Sequence, residues 1–135
     1  MYRLEVVTPA GVVFSGENIY QTVINTADGE IGILENHMLL LTNVLPGKLR
    51  IEKEGGDVEE YAVTFGTIDI TGDKVIVLVE EAYKIDEIDI EREKQLLEEA
   101  QENLNKEGLT EEERKRYEKQ KFRAETLLNL AKITR

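Results

Sequence analysis

Apolar residues occur in short runs between Tyr2 and Tyr83, and turn sequences separate these runs. Pro9-Ala10-Gly11, Glu54-Gly55-Gly56-Asp57 and Thr71-Gly72-Asp73-Lys74 are turn sequences of this kind. The runs between them are rich in β-branched residues, which favour strands. The pattern predicts strands at 4–8, 12–14, 19–25, 45–51, 58–64, 68–70 and 75–79.

Strands this short, with turns about every 8–12 residues, predict a two-sheet β-sandwich or a flattened barrel. Val75–Val79 is continuously apolar, so we expect this strand to be buried on both faces. The expected core residues are Leu4, Val6, Val23, Ile33, Leu40, Leu49, Ile51, Val63, Ile70, Ile76 and Leu78.

The pattern changes after Tyr83, where Glu, Lys, Gln, Leu and Ala replace the β-branched residues. Asp89 is suited to the N-cap of a first helix, on which Leu97, Ala100 and Leu104 share one stripe. Gly108 suits its C-cap. Thr110 and the glutamates after it form a capping-box sequence that starts a second helix. On that helix Tyr117, Ala124 and Ala131 repeat at sevens, with Leu127 and Leu128 beside them.

The connection between the two helices is so short that they must run antiparallel. The predicted fold is therefore β plus α: an N-terminal β-sandwich or flattened barrel, followed by a C-terminal antiparallel two-helix hairpin. We assign residues 1–84 to the sandwich and residues 85–135 to the hairpin. The hairpin's apolar stripe is thin, and this predicts an element that can open at modest free-energy cost.

The formal net charge of −11 argues against binding to nucleic acid, whose phosphates attract a basic surface. The charge is uneven, because residues 109–135 carry eight basic and five acidic side chains. That basic end predicts either contact with an acidic partner or a solvated helix face. The first residues are not those of a targeting peptide and no apolar run reaches membrane-spanning length, so we expect membrane contact only through a partner.

Catalytic chemistry finds little support in the sequence. His37 is the only histidine and there is no cysteine, so no partner for a metal or thiolate site can be named for it. Ser15 is the only serine, and it lacks a nucleophile-elbow sequence. The stretch Asp28–Leu41 holds this histidine, two glycines and a run of leucines, which are expected to anchor it to the core.

The order of these features resembles the epsilon subunit of F-type ATP synthase, whose mitochondrial equivalent is called delta, over nearly the full chain. Short motifs along the chain carry the resemblance. They are Val6-Val7-Thr8-Pro9 with Val13-Phe14; Gly29-Glu30-Ile31-Gly32-Ile33-Leu34 with His37, Leu40 and Thr42; Pro46-Gly47-Lys48-Leu49-Arg50-Ile51; the segment from Tyr61 to Ile70; and Ile88-Asp89-Ile90-Glu91-Arg92.

The resemblance implies a non-catalytic subunit of the central rotor stalk, which couples ion-driven rotation of the c-ring to ATP synthesis. It implies that Asp28, Gly29 and Glu30 face the c-ring, and that His37 and Met38 face the gamma subunit. The hairpin would be regulatory and would inhibit ATP hydrolysis when it extends into the head of alpha and beta subunits. The basic residues implied in that contact are Arg114, Lys115, Arg116, Lys119, Lys121 and Arg123.

This role requires no cofactor, but the resemblance implies ATP as a regulatory ligand at Asp89, Arg92 and Arg123. The sequence departs from the family pattern at Glu35, Asn36, Met38 and Leu39, and also at Glu93, where the family has alanine. Glu93 would bring a negative charge close to the nucleotide. The implied location is peripheral, on the cytoplasmic face of the bacterial plasma membrane.

Two other functions stay open at this point. The first is a stand-alone ATP-sensing module, in which Asp89 and Arg92 would bind nucleotide. The structural alternative is that Asp89 caps the helix and Arg92 forms a surface ion pair. The second is a small hydrolase that uses His37, and it would lose its activity on His37→Ala.

Overall fold

The computed structural model describes residues 1–34 and 39–134, the last two of these by their backbone alone. The described chain divides into two compact units, Met1–Ile85 and Asp86–Arg135. The strands are β1 (Tyr2–Thr8), β2 (Gly11–Thr26), β3 (Gly29–Ile33), β4 (Leu40–Val44), β5 (Gly47–Lys53), β6 (Val58–Val63), β7 (Gly66–Thr71), β8 (Lys74–Val79) and β9 (Ala82–Lys84). A short 3-10 turn at Ile85–Glu87 precedes helices α1 (Ile90–Leu104) and α2 (Glu111–Thr134).

The first unit is a flattened barrel in which the long strand β2 pairs with four other strands. The strand order is β1-β8-β7-β4-β2-β5-β6-β9, with β3 on β2 and a further pairing of β1 with β2. That last pairing closes β1, β8, β7, β4 and β2 into a ring. The predicted sandwich or flattened barrel followed by two helices is confirmed.

Local turn chemistry explains two of the hairpins, β5–β6 and β7–β8. Gly55 and Gly56 have φ values of 92° and 93°, which only glycine adopts freely, and they join β5 to β6. Gly72, at φ 62°, lies in the two-residue connection between β7 and β8. Both hairpins were predicted at these residues. The strand predicted at 12–14 and the strand predicted at 19–25 are one continuous strand, β2.

The barrel core contains seven of the eleven expected residues, with Leu40 half-buried against it. The predicted register was wrong in two strands. Val23 is half-buried, and its neighbours Thr22 and Ile24 are buried instead. The expectation that Val75–Val79 is buried on both faces was also wrong. Strand β8 buries Val75, Val77 and Val79, whereas Ile76 is half-buried and Leu78 is 50% exposed. A continuous apolar run does not reveal which alternate residues face inward, and a one-residue slip exchanges the two faces.

The second unit is a helical hairpin whose caps match two of the three predicted. Asp89 is the N-cap of α1, and its carboxylate accepts a hydrogen bond from the backbone N–H of Arg92 at 3.0 Å. Thr110 and Glu113 exchange two hydrogen bonds of 3.1 Å at the start of α2, which is the capping box. The predicted C-cap at Gly108 was wrong, because α1 ends earlier, at Leu104, and its C-cap is Asn105. Gly108, at φ 75°, turns the chain toward α2.

Candidate docking and regulatory sites

The β2–β3 turn, formed by Ala27 and Asp28 with the first residues of β3, presents Asp28, Gly29 and Glu30 on the surface, and all three are exposed. Gly29 has φ 104°, a conformation that strains any residue with a Cβ atom. Thr26 is buried beneath the turn, where its hydroxyl donates to the Gly29 carbonyl at 2.8 Å and accepts from the Asp28 N–H at 3.1 Å. These bonds fix the shape of the turn from below.

A side chain of β4 holds the same turn from the side. The hydroxyl of Thr42 donates to a carboxylate oxygen of Asp28 at 3.1 Å, and the Ala27 N–H donates to the Asn43 carbonyl at 2.9 Å. The turn is therefore a fixed projection rather than a loose loop. That suits it to contact a second surface with little loss of conformational entropy.

The gamma-facing residues of the sequence analysis, His37 and Met38, lie outside the described residues. Two leucines that follow them in the sequence are largely exposed, Leu39 at 77% and Leu41 at 71%. The expectation that these leucines anchor the stretch to the core was wrong. Only Leu40 packs against the core, and it does so half-buried, because alternate residues of β4 point to opposite faces.

At the start of α1, Asp89 and Arg92 of the implied ATP site lie three residues apart. Asp89 Oδ1 accepts from the Arg92 N–H, so this carboxylate caps the helix. The Arg92 side chain is 48% exposed, and its Nη1 lies 3.4 Å from Glu93 Oε2. The capping interpretation of Asp89 is confirmed, whereas ATP binding at these residues stays a prediction.

Arg123, the third residue of the implied ATP site, forms an ion pair with Glu93 across the hairpin. Its Nη1 lies 2.6 Å from Glu93 Oε1, and the two side chains are 11% and 0% exposed. The structure therefore brings Arg92 and Arg123 to the same point, but a carboxylate of this chain lies between them. Glu93 stands out in the sequence as a departure from the family pattern, but its pairing with Arg123 was not predicted.

The remaining basic residues of α2 do not form a single stripe. Arg114 and Lys121, seven residues apart, share one side of the helix, while Lys115 and Lys119 share another. Arg114, Lys115, Arg116 and Lys119 are exposed and Lys121 is half-buried. Lys115 Nζ lies 3.6 Å from Glu111 Oε1 in an exposed pair, which contributes little to stability. This part of α2 is thus a cationic surface that a large acidic partner could contact from several directions.

Two further observations concern metal sites and membrane-spanning helices. Within residues 1–34 and 39–134, no group of three or more metal-ligating side chains is close enough to hold an ion. No helix in the described part of the chain has the length and apolarity needed to cross a membrane.

Comparison with known protein families gives one match over the first unit. The family described as ATP synthase, Delta/Epsilon chain, beta-sandwich domain matches residues 1–85. Curated relatives extend the similarity through the hairpin. The ATP synthase epsilon chain of Sulfurihydrogenibium sp. (strain YO3AOP1) is 67% identical over 131 residues, 97% of each chain. That of Persephonella marina is 68% identical over 134 residues, 98% of each chain.

Solved structures show the same fold. A chain of the mitochondrial ATP synthase of Euglena gracilis, solved as OSCP/F1/c-ring, aligns with a TM-score of 0.76 at 27% identity, covering 93% of this chain and 78% of that one. A chain of the Tetrahymena thermophila central stalk/c-ring structure aligns with a TM-score of 0.70 at 12% identity, covering 96% of each chain. The second likeness concerns the fold alone.

Proposed function

The chain belongs to the ATP synthase delta/epsilon family, as a non-catalytic subunit of the synthase, and from that premise we propose that it is a rotor subunit of the central stalk. In this role it couples ion-driven rotation of the c-ring to ATP synthesis in the catalytic head. Its C-terminal hairpin restrains ATP hydrolysis.

The observation that carries this proposal is the identity of 67% to an epsilon chain over 97% of both chains. That similarity includes the hairpin as well as the barrel, so both units are shared with the relative. The Euglena gracilis structure with a similar chain contains F1 and c-ring, which supports the same kind of assembly here.

The β2–β3 turn is the proposed contact with the c-ring. Its exposed residues Asp28, Gly29 and Glu30 are held in one shape by Thr26 and Thr42, and a polar turn of fixed shape suits the polar loops of a ring. The proposed contact with the gamma subunit includes His37 and Met38. It is supported by the exposed apolar side chains of Leu39 and Leu41, since apolar side chains at such exposure favour a protein partner.

The hairpin is the proposed inhibitory element, acting through the cationic surface of α2 on acidic loops of the alpha and beta subunits. The location that follows is peripheral, on the cytoplasmic face of a bacterial plasma membrane. Membrane attachment would run through the complex.

The test is to assemble the synthase with a chain that ends at Lys84, removing residues 85–135. We expect assembly and ATP-driven ion pumping to persist while ATP hydrolysis rises at least about fivefold, the lower end of typical regulatory coupling.

A second variant replaces Arg114, Lys115, Arg116 and Lys119 with alanine. Its matched control replaces Glu98, Glu99 and Glu102 of α1 with alanine. Hydrolysis that does not change in the truncated complex would remove the inhibitory function, and failure to assemble would remove the assignment of docking to the barrel alone.

A further inference from the structure

Glu93 occupies a position on α1 where an apolar residue is expected. Residues 93, 97, 100 and 104 follow helical spacing and share one face, and Ala100 on that face is fully buried. The Glu93 side chain is also fully buried. A carboxylate is retained at such a position only when its charge is paired and its oxygens accept hydrogen bonds.

Two arginines supply that pairing, one from each helix. Arg123 Nη1 of α2 lies 2.6 Å from Oε1 of Glu93, and Arg92 Nη1 of α1 lies 3.4 Å from Oε2. Both carboxylate oxygens therefore face a guanidinium group. Arg123 is itself 11% exposed, in contrast to the exposed Arg114, Lys115, Arg116 and Lys119 of the same helix.

Two guanidinium groups that converge on one buried point, here one from the buried Arg123 and one from the half-exposed Arg92, form an anion site, because planar N–H donors match carboxylate and phosphate oxygens. We propose that Arg92 and Arg123 form an anion site between the helices, and that this chain fills the site with its own Glu93 carboxylate. An internal ion pair thereby stabilises the closed hairpin, which needs no dissolved carboxylate, phosphate or nucleotide in order to close.

The tethered carboxylate has a large advantage over a dissolved anion. Glu93 precedes Arg123 by 30 residues and follows Arg92 directly, so its local concentration at the site is on the order of millimolar or more. A dissolved anion would have to displace Glu93, which would then be buried without a partner. The fully buried apolar side chains of the hairpin include Leu127 as well as the small Ala100 and Ala124. Removal of Glu93 should still weaken the closed hairpin, because it leaves the buried Arg123 charge uncompensated.

Replacement of Glu93 should therefore convert an internal anion site into one for dissolved anions. In the full chain with Glu93→Ala, we expect a lower melting temperature of the helical signal in circular dichroism. Acetate, formate or inorganic phosphate, titrated against chloride at equal ionic strength, should raise it again by on the order of 5 °C, and the rise should saturate. If the hairpin of this variant is already open, the same anions should restore helical signal.

The matched control is Glu93→Ala with Arg123→Gln, which removes the site and should not respond to the anions. Calorimetric titration with phosphate, or with ATP and Mg²⁺, should give the same heat for the wild-type chain as for Arg123→Gln. Any one of three results would overturn the proposal. They are an unchanged melting temperature in Glu93→Ala, an anion response that the double variant retains, and wild-type binding of phosphate or ATP that Arg123→Gln abolishes. These experiments use the isolated chain, so their failure leaves the function proposed above untouched.

Discussion

The hydroxyl of Tyr2 lies 2.9 Å from the carbonyl oxygen of Ile33, joining the first strand to the last residue of β3. The same hydroxyl lies 2.6 Å from Thr22 Oγ1 of β2. Burial raises the pKa of Tyr2 to about 12, so the hydroxyl stays neutral and can donate. This buried group fixes the point at which the chain leaves β3 toward Leu34 and the proposed gamma contact.

Tyr2→Phe should destabilise the barrel by about 1 kcal/mol, because it removes a buried hydrogen-bond partner from the Ile33 carbonyl and from Thr22. Urea unfolding, followed by the amide NMR signals of the barrel strands, measures the change. Tyr20→Phe is the control, since the Tyr20 side chain is exposed. Equal stability of the two variants would show that the Tyr2 hydroxyl contributes nothing to holding β3.

Local chemistry was enough to predict the turns and two helix caps. The Glu54–Asp57 turn, the Thr71–Lys74 turn, the Asp89 cap and the Thr110–Glu113 capping box each depend on a few neighbouring residues. Strands β3 and β4 were missed because their strand state depends on distant partners. Gly29 and Gly32 weaken the strand pattern of β3, yet its residues pair with Thr22–Thr26 of β2, and tertiary pairing outweighs propensity.

The ion pair between Glu93 and Arg123 was partly predictable from the sequence pattern. Glu93 is a charged residue on the stripe of Leu97, Ala100 and Leu104, and a charge on an apolar stripe requires a partner. Arg123 is at nearly the same height in α2, because both residues are roughly 17 Å from the hairpin connection at 1.5 Å per residue. Contact between the two side chains also depends on how each helix is rotated about its own axis. That rotation is set by packing between the helices and cannot be predicted from a few neighbouring residues.

Gly66 should tolerate no side chain, because β7 approaches β8 very closely at this residue. A Cβ atom there would fall on the backbone carbonyl of Leu78, and backbone atoms cannot rotate away as a side chain can. Gly66→Ala should therefore lower the free energy of unfolding by roughly 3 kcal/mol, as expected for a severe packing clash. Urea unfolding checks this value.

The control for that variant is Gly32→Ala. Its Cβ atom would meet only the side-chain amide of Gln21, at 3.2 Å, and this side chain can move. Gly32→Ala should therefore cost less than about 1 kcal/mol. Similar losses from both glycines would indicate that strand propensity, rather than the Leu78 carbonyl, determines the cost.

Glu59 should make the barrel sensitive to acid. The Lys53 ammonium forms an ion pair with Glu59, Lys84 Nζ lies 3.0 Å from Glu59 Oε1, and the Tyr61 hydroxyl donates to the same oxygen at 2.9 Å. These groups, Lys53 foremost, lower the pKa of Glu59 from its usual 4.5 to about 2. Because the folded pKa is the lower one, the stabilisation is complete above about pH 4.5 and is lost as the pH falls toward 2.

Glu59→Gln should therefore lower the free energy of unfolding by about 2 kcal/mol at neutral pH. The full pKa shift would correspond to more, but partial exposure of the site screens the charges. The difference from the wild-type chain should shrink steadily below pH 4.5 and vanish near pH 2. Urea unfolding across this range provides the measurement. Glu60→Gln is the control, because Glu60 pairs with Lys48 at an exposed place, and a pH dependence shared by both variants would contradict the assignment to Glu59.

The exposed leucines at the start of β4, Leu39 just before it and Leu41 within it, should contribute to binding of the gamma subunit without contributing to the fold. Leu39 and Leu41 lie outside the barrel core, so Leu39→Ser with Leu41→Ser should leave the melting temperature nearly unchanged. Loss of two apolar contacts in an interface should weaken binding to gamma at least about tenfold. A pull-down titration with gamma measures this affinity. Val58→Ser is the control, since Val58 is an exposed apolar residue at the separate β5–β6 turn, and undiminished binding of the leucine variant would move the gamma contact to another face of the barrel.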